Sequence, residues 1–359
     1  MRLLNPGPVT LSERVRRSML APDLCHRESE FFDLQDEARA RLLAVYGADP
    51  AEWCPVLLTA SGTGAVESMV ATLVPQEGRV LVAENGVYGE RIAQICARYR
   101  IAYERMTGDW MQALDLSGMG RRLERAAEEG ARFTHIAAVH HETTTGRLND
   151  LCALGALCRQ HGVRLLLDAV SSFGAEAIDF TDECLAAIAA TANKCLHGVP
   201  GVAFVLTRRR ALERAASRAY YLDLARAARA QDHRDTPFTP AVHAHYALVE
   251  ALREHAEEGG WAARHRRYAA LAEQVRAGLA ALGVAPVLPP RESSVVLRSY
   301  GLPPVISYAT LHDALKARGF VIYAGQGNLA ARLFRISTMG DVSAADMDRL
   351  LECCGELLR

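Results

Sequence analysis

The sequence predicts an α/β fold, with a large domain built on a mostly parallel central sheet and a small C-terminal α+β domain. Short β-rich runs alternate with helical runs from 56 to 206, which is typical of parallel strands that helices cover on both faces. Several of these runs are apolar throughout, as in Leu165-Leu166-Leu167, and such strands are buried on both sides. A chain of 359 residues is also long enough for two units.

The elements of the large domain follow from these alternating patterns. Strands are predicted, in chain order, at 56–59, 80–82, 134–139, 163–168, 184–190 and 202–206. The intervening helices are predicted at 63–74, 88–99, 117–130 and 151–161. From 240 to 282 the pattern is helical, and Gly259-Gly260 separates two amphipathic segments.

The last quarter of the chain changes character after the proline-rich stretch 286–290. Strands are predicted there at 295–297, 320–323 and 333–336, with helices near 308–318 and from 343 onward. We therefore expect three parts: an N-terminal segment that packs near the functional site, a large domain and a small domain. Their expected bounds are 1–20, 21–283 and 284–359.

The overall composition excludes several classes of function. The net charge is −1 and 23% of the residues are charged, so there is no basic field for a nucleic acid and no like-charge run for a membrane surface. The nine cysteines lack the paired spacing of a metal site. Because no signal peptide or long apolar run is evident, we expect a cytoplasmic protein and no membrane. We also expect small-molecule substrates, no metal and no nucleic acid.

Lysine is almost absent from this chain. Of the 41 basic residues only Lys194 and Lys316 are lysines. Arginine replaces lysine in ion pairs, but its guanidinium keeps its proton and cannot attack a carbonyl. Lys194 is therefore a candidate Schiff-base nucleophile, whereas Lys316, in a polar helix, is typical of a solvated surface residue.

Two further motifs follow predicted strands, where open α/β sheets bind ligands. Ser61-Gly62-Thr63 joins a strand to a helix start, where free N–H groups can hold a phosphate, although ordinary helix capping explains such residues as well. Asp168 ends an apolar strand and needs a partner such as a protonated pyridine nitrogen, although it could instead cap the following turn. A phosphate cup, a buried acid and a lone lysine together indicate pyridoxal 5'-phosphate.

Over essentially its whole length the chain resembles the class V, fold-type-I pyridoxal-phosphate aminotransferases. Within them it is most similar to the branch that moves the amino group of 2-aminoethylphosphonate to pyruvate. The matching stretches are Leu4-Asn5-Pro6-Gly7-Pro8-Val9-Thr10, 61–67, Asn85-Gly86-Val87-Tyr88-Gly89, His141-Glu142-Thr143-Thr144-Thr145-Gly146, 168–174, Ala192-Asn193-Lys194-Cys195-Leu196-His197-Gly198 with 199–201, and Phe334-Arg335-Ile336.

The resemblance implies roles for individual residues. Lys194 would form the Schiff base and then act as the general base, and Asp168 would keep the ring nitrogen protonated. Tyr88 would stack on the ring, and Thr143 would lie near the ring oxygen or the Schiff base. The remaining expected cofactor contacts are Ser61, Gly62, Thr63, Ser171 and Thr239, the last donated by the neighbouring subunit of an obligate homodimer.

The substrate would be bound by Arg335, Asn5 and Arg27. Arg335 would clamp a carboxylate or phosphonate, for which a bidentate guanidinium is well shaped. Arg27 lies where the phosphonate-specific branch carries an acidic stretch. It could add a second positive charge for a dianionic phosphonate, or it could form a structural salt bridge. In the family a serine usually separates this threonine from the proline. That serine is missing before Pro240, which affects how Thr239 aligns with the family's threonine.

The resemblance implies a ping-pong reaction in which the cofactor alternates between pyridoxal and pyridoxamine forms. It gives phosphonoacetaldehyde and L-alanine in the forward direction, and the sequence leaves open whether the cell uses it to degrade or to make the aminophosphonate. Three alternatives also stay open: an alanine– or serine–glyoxylate aminotransferase, a transaminase of a modified aminoethylphosphonate, and a non-catalytic subunit of the same fold. A cysteine desulfurase is disfavoured because 325–332 contains no cysteine.

Overall fold

The computed structural model describes residues 1–213 and 215–358 of the chain. Its helices are α1 (Glu13–Ser18), α2 (Ser29–Ala44), α3 (Gly62–Leu73), α4 (Val87–Arg98), α5 (Leu116–Glu128), α6 (Leu151–His161), α7 (Arg209–Glu213), α8 (Leu224–Asp232), α9 (Val242–Glu257), α10 (Gly260–Ala281), α11 (Tyr308–Ala317) and α12 (Ala344–Leu358). Its strands are β1 (Arg2–Leu3), β2 (Trp53–Ala60), β3 (Arg79–Glu84), β4 (Ala102–Thr107), β5 (His135–Val139), β6 (His141–Glu142), β7 (Arg147–Leu148), β8 (Arg164–Asp168), β9 (Leu185–Thr191), β10 (Gly201–Arg208), β11 (Leu297–Gly301), β12 (Phe320–Val321), β13 (Tyr323–Ala324) and β14 (Leu333–Ser337).

A seven-stranded sheet forms the centre of the molecule, in the order β2-β10-β9-β8-β5-β3-β4. Strand β10 is antiparallel to both of its neighbours, and every other pairing in the sheet is parallel. This arrangement confirms the predicted α/β fold with a mostly parallel central sheet. The edge strand β4 was not predicted, because its sequence Ala-Tyr-Glu-Arg-Met-Thr is polar and half-exposed and lacks the apolar run of a central strand.

Helices cover both faces of this sheet. Side chains of α2, α5, α6 and α9 contribute to the core on one face, where Phe31 is fully buried. Side chains of α3, α4 and α8 contribute to the core on the other face, where Met69 is fully buried. Each large apolar side chain buried in this way stabilises the fold by about 1.5–3 kcal/mol.

The C-terminal part of the chain has its own three-stranded antiparallel sheet, in the order β11-β14-β13. The core on this sheet includes Leu350 of α12, Leu279 of α10 and Leu4 of the N-terminal segment. Strand β1 pairs in parallel with β12, so the start of the chain is attached to its C-terminal part. The residues that follow, Asn5 to Pro8, lie beside the loop after β9.

Two predicted elements of this part are wrong in their bounds. Val295 and Val296 form a bend, and the strand predicted at 295–297 instead runs over Leu297–Gly301. Those two valines are apolar because they pack inside the protein beside the bend, and burial alone does not specify a strand. The strand predicted at 320–323 divides into β12 and β13 around Ile322. In the described part of the chain, no helix is both long and apolar enough to cross a membrane.

Candidate active site

The candidate site lies at the edge of the central sheet where the parallel strands end. Ser61 follows β2, Asp168 is the last residue of β8, and Lys194 comes three residues after the end of β9. Because parallel strands end at a common edge, three motifs that are far apart in sequence converge there. Strand β10 runs in the opposite direction and begins at this edge, with Gly201 paired to Ala60.

Lys194 is partly buried against the N-terminal segment. Its Nζ donates hydrogen bonds to the carbonyl oxygen of Pro6 and, over 3.3 Å, to the Oγ of Ser171. Burial lowers the pKa of this ammonium group, because removal from water disfavours the charged form. A deprotonated amine is the form that can act as a nucleophile or a base.

Gly7 makes this close approach possible. It has a φ of +110°, and a Cβ at this position would lie 2.7 Å from Cδ of Lys194. Any side chain here would therefore be strained and would also collide with the lysine. The N-terminal stretch 4–10 thus contacts the candidate nucleophile directly through its backbone.

Asp168 has an incompletely satisfied carboxylate. One oxygen accepts a hydrogen bond of 2.9 Å from the N–H of Val170, and the other has no hydrogen-bond donor among the residues that the structure describes. Burial raises the pKa of this carboxyl group to about 6. A cationic N–H group placed beside it would restore the ionised form.

The Ser61-Gly62-Thr63 motif forms the start of α3. The Oγ of Ser61 caps the helix by accepting from the N–H of Gly64 over 3.5 Å. The preceding N–H groups, those of Gly62 and Thr63, have no partner within the helix and suit an anion. A Cβ on Gly62 would lie 2.7 Å from a methyl of Val170, so glycine allows α3 to approach the loop after Asp168.

A buried carboxylate that the sequence analysis did not single out anchors Tyr88. Glu142 accepts hydrogen bonds from the N–H groups of Tyr88 and Gly89, at 3.2 and 3.3 Å, and from the hydroxyl of Thr144 at 2.6 Å. Burial raises the pKa of Glu142 to about 7. Its position within the quoted motif 141–146 was the available signal, but only the structure shows that it caps α4.

Arg335 and Thr143 are in direct contact. The guanidinium of Arg335 donates to the carbonyl oxygen of Thr143 at 2.9 Å and to that of Ala324 at 2.7 Å. It also donates to Gln326, but within the described residues no carboxylate pairs with it. Burial lowers the pKa of Arg335, and a buried cation without an acidic partner favours binding of an anion.

The remaining predicted residues are placed differently from one another. Ser171 contacts Lys194, and buried Asn5 adjoins Pro6 and donates to Pro8 over 3.1 Å. Arg27 is exposed and forms an ion pair with Asp235 at 2.7 Å, which is the structural role weighed as an alternative. Thr239 is also exposed, and in the described part of the chain neither Arg27 nor Thr239 has a hydrogen bond to another predicted site residue.

Comparison with known proteins identifies the family. The model of the family "Aminotransferase class-V" matches residues 16–349. The chain belongs to this family. It is 37% identical over 362 aligned positions to a 2-aminoethylphosphonate–pyruvate transaminase of Pseudomonas aeruginosa, an alignment that covers 99% of the chain and 96% of the relative.

Solved structures agree with this class-V assignment. An aspartate aminotransferase of subgroup IV from Thermus thermophilus has a TM-score of 0.89 and 29% identity, covering 100% of the chain and 99% of that structure. An alanine–glyoxylate aminotransferase from Nostoc sp. has a TM-score of 0.91 and 26% identity, covering 99% and 95%. These neighbours confirm the fold-type-I architecture.

Pyridoxal phosphate is the cofactor of a class-V aminotransferase, and the residues of this site fit it. Asp168 has a free carboxylate oxygen for the ring nitrogen, and Lys194 is an amine of lowered pKa for the aldehyde. The hydroxyl of Thr143 is buried without a hydrogen-bond partner, so it has capacity for a polar ligand atom. The start of α3 can hold the phosphate, and Tyr88 lies at the start of the neighbouring helix α4.

Proposed function

We propose that this class-V aminotransferase transfers the amino group of 2-aminoethylphosphonate to pyruvate, giving phosphonoacetaldehyde and L-alanine. The observation that carries the proposal is the 37% identity, over nearly the full length of both chains, to the Pseudomonas aeruginosa transaminase of that name. Fold similarity alone does not select this substrate, because the structural neighbours include enzymes named for aspartate and for alanine with glyoxylate.

The site residues can divide the work of such a reaction. Bound pyridoxal phosphate supplies a carbonyl for the substrate amine and an electron-withdrawing ring. Lys194 Nζ, which burial shifts toward the neutral form, removes the proton from the amine-bearing carbon and returns it. Asp168 holds the proton on the ring nitrogen, and Arg335 binds the anionic end of the substrate.

One anion clamp is sufficient for both substrates in a ping-pong reaction. The amine donor and the keto acid occupy the site in turn, so Arg335 would hold a phosphonate in one half-reaction and a carboxylate in the other. The guanidinium is suited to both, since each presents oxygens to its planar N–H groups. Asn5 is a further candidate for the substrate wall, because it precedes Pro6, whose carbonyl contacts Lys194.

The proposal includes a cytoplasmic homodimer with shared active sites. Thr239 is exposed on its own chain, which is compatible with a contact to the neighbouring subunit's cofactor. The exposed aromatic Tyr220 packs beside Phe238 next to it, and exposed aromatic groups are common at protein interfaces. Arg27 remains a candidate substrate contact of this assembly.

The proposal is tested with the purified holoenzyme and one substrate at a time. Adding 2-aminoethylphosphonate without a keto acid should release about one equivalent of phosphonoacetaldehyde per site, since a ping-pong enzyme completes half a cycle. Subsequent pyruvate should yield L-alanine. If alanine or serine reacts instead, with glyoxylate as acceptor and no reaction of the phosphonate, the glyoxylate aminotransferase alternative replaces the proposal.

A further inference from the structure

Arg91 is a cation at the candidate site to which no role has been assigned. It lies on α4, one turn after Tyr88, so the two side chains share a face of the helix. Its guanidinium carbon lies 4.7 Å from the centre of the Tyr88 ring. Its Nη1 donates a 3.0 Å hydrogen bond to the hydroxyl of Thr63, one of the predicted phosphate contacts.

The charge of Arg91 has no acidic partner in the described part of the chain. Many other arginines of this protein are in ion pairs, for example Arg105 with Glu84 at 2.7 Å, but no carboxylate lies within 4.0 Å of Arg91 among the described residues. A guanidinium carries five N–H donors, and the one assigned hydrogen bond leaves most of them available. The positive charge also opposes the effect of burial on the pKa of Asp168.

The contact with Thr63 places the unpaired guanidinium of Arg91 where a bound anion would be favoured. Because the hydroxyl of Thr63 accepts from Arg91, its own hydrogen is free to be donated to a ligand. The free N–H groups at the start of α3 favour negative charge at the same place. Three groups that favour an anion are therefore adjacent: the hydroxyl of Thr63, the start of α3 and the guanidinium of Arg91, which has no carboxylate partner in the described part of the chain.

We propose that Arg91 binds a tetrahedral phosphorus oxyanion through its free N–H groups. This anion is either the phosphate of the cofactor or the phosphonate of the amine substrate; the second case rests on the proposed function, and the first does not. In either case Arg91 contributes a charge-assisted hydrogen bond and lies between Thr63 and the ring of Tyr88.

The test uses Arg91→Met, which removes the charge and keeps an unbranched side chain beside Tyr88. Apoenzyme is titrated with pyridoxal phosphate and, separately, with pyridoxal. If the anion is the cofactor phosphate, the Kd for pyridoxal phosphate should rise by about tenfold or more and the Kd for pyridoxal should not change. This readout needs no turnover, so it stays informative if 2-aminoethylphosphonate is not the substrate.

The second arm measures the substrate side on cofactor-saturated enzyme. If the anion is the phosphonate, the KM for 2-aminoethylphosphonate and the inhibition constant of methylphosphonate should rise by about tenfold, with the KM for pyruvate unchanged. Arg91→Lys should recover part of either loss, and Arg98→Met, an exposed arginine on the same helix, is the matched control. Unchanged values in both arms for a folded Arg91→Met protein would overturn the proposal.

Discussion

At the scale of single residues, the two lysines provide an internal comparison. Lys194 is partly buried and contacts Pro6 and Ser171, whereas Lys316 is exposed on α11. Lys194→Ala should lower kcat by about 10²–10⁴-fold from the loss of proton transfer alone, and Lys194→Arg should be as inactive because arginine stays protonated. Lys316→Ala should leave kcat unchanged.

Alanine formation under saturating substrates measures the effect, and a thermal unfolding curve for each variant shows that the protein is folded. Turnover by folded Lys194→Ala at a rate close to the wild type would remove Lys194 from the mechanism. Equal losses in Lys194→Ala and Lys316→Ala would instead indicate that each substitution acts through general instability.

Asp168 should make the cofactor-free protein sensitive to pH. Its pKa is raised from 3.8 to about 6, so the folded state binds this proton more tightly than the unfolded chain does. The destabilisation develops as the pH rises from 4 to 6 and persists above. Asp168→Asn, which is uncharged, should therefore be more stable than the wild type at pH 7 by up to about 3 kcal/mol.

Denaturant unfolding of the apoprotein at several pH values measures this difference, which should shrink as the pH falls from 6 toward 4. Asp23→Asn, at an exposed aspartate, is the control for loss of a charge. An Asp168→Asn protein no more stable than the wild type at pH 7 would show that the carboxylate already has a partner in the apoprotein. With the cofactor bound, the same variant should lose activity.

Sequence reasoning singles out residues whose type is itself unusual at their position. Lys194 is one of two lysines, and Asp168 ends an apolar strand, so each stands out without knowledge of its neighbours. Glu142 and Arg91 do not stand out, because glutamate and arginine are abundant in this chain. Their importance comes from contacts with α4 and with Thr63, and such contacts between distant segments exist only in the folded protein.

At the scale of elements, the start of α4 depends on a carboxylate from the hairpin β6-β7. Gly86 precedes the helix, and a Cβ there would lie 2.2 Å from Cδ of Glu142. Gly86→Ala should therefore push Glu142 away from the N–H groups of Tyr88 and Gly89, weaken cofactor binding and lower the free energy of unfolding by about 1–3 kcal/mol. Gly108→Ala, which has open space around the added Cβ, is the control.

The Kd of the cofactor and the denaturant midpoint test this prediction. We expect the free energy of cofactor binding to change more than the free energy of unfolding, because the affected helix start carries Tyr88. If Gly86→Ala and Gly108→Ala behave alike, the contact between Gly86 and Glu142 does not position α4.

The N-terminal segment should influence catalysis through Gly7. Gly7→Ala places a methyl against the Lys194 side chain, and the positive φ adds strain of about 1–3 kcal/mol. Gly283 also has a positive φ, of +75°, but has nothing within 4 Å of its Cβ position. Both variants should lose stability, and only Gly7→Ala should also lose kcat, measured as alanine formation. A normal kcat in Gly7→Ala would mean that the segment moves away from Lys194 in the working enzyme.

The prediction of elements follows the strength of the local pattern. The apolar central strands β5, β8, β9 and β10 were predicted within a few residues, because continuous burial leaves a continuous apolar run. Local apolar patterns fail at two places, the half-exposed edge strand β4 and the misplaced strand at 295–297. Pairing with β3 makes β4 a strand despite its polar residues, and a bend next to β11 is as apolar as the strand itself.

At the scale of the whole molecule, the proposed dimer would give the exposed Thr239 a place in a cofactor site. Every predicted cofactor residue except Thr239 ends a strand of the central sheet or follows the end of one by no more than about four residues, as Thr143 follows β5 and Ser171 follows β8. Thr239 follows Phe238 in an exposed aromatic cluster. In the proposed dimer, a second copy of the chain brings Thr239 to its neighbour's cofactor.

Shared active sites predict that two defective variants restore each other. Thr239→Ala should weaken cofactor binding, and Lys194→Ala should be inactive. In a mixed dimer, the subunit with intact Lys194 receives the intact Thr239 of its Lys194→Ala partner, so one of the two sites is complete. Random reassociation of equal amounts should recover about a quarter of the wild-type sites, measured as activity at a cofactor concentration that leaves Thr239→Ala unsaturated. If Thr239 serves the site of its own chain, each site of the mixed dimer keeps a defect, and the mixture should be no more active than the average of the two variants.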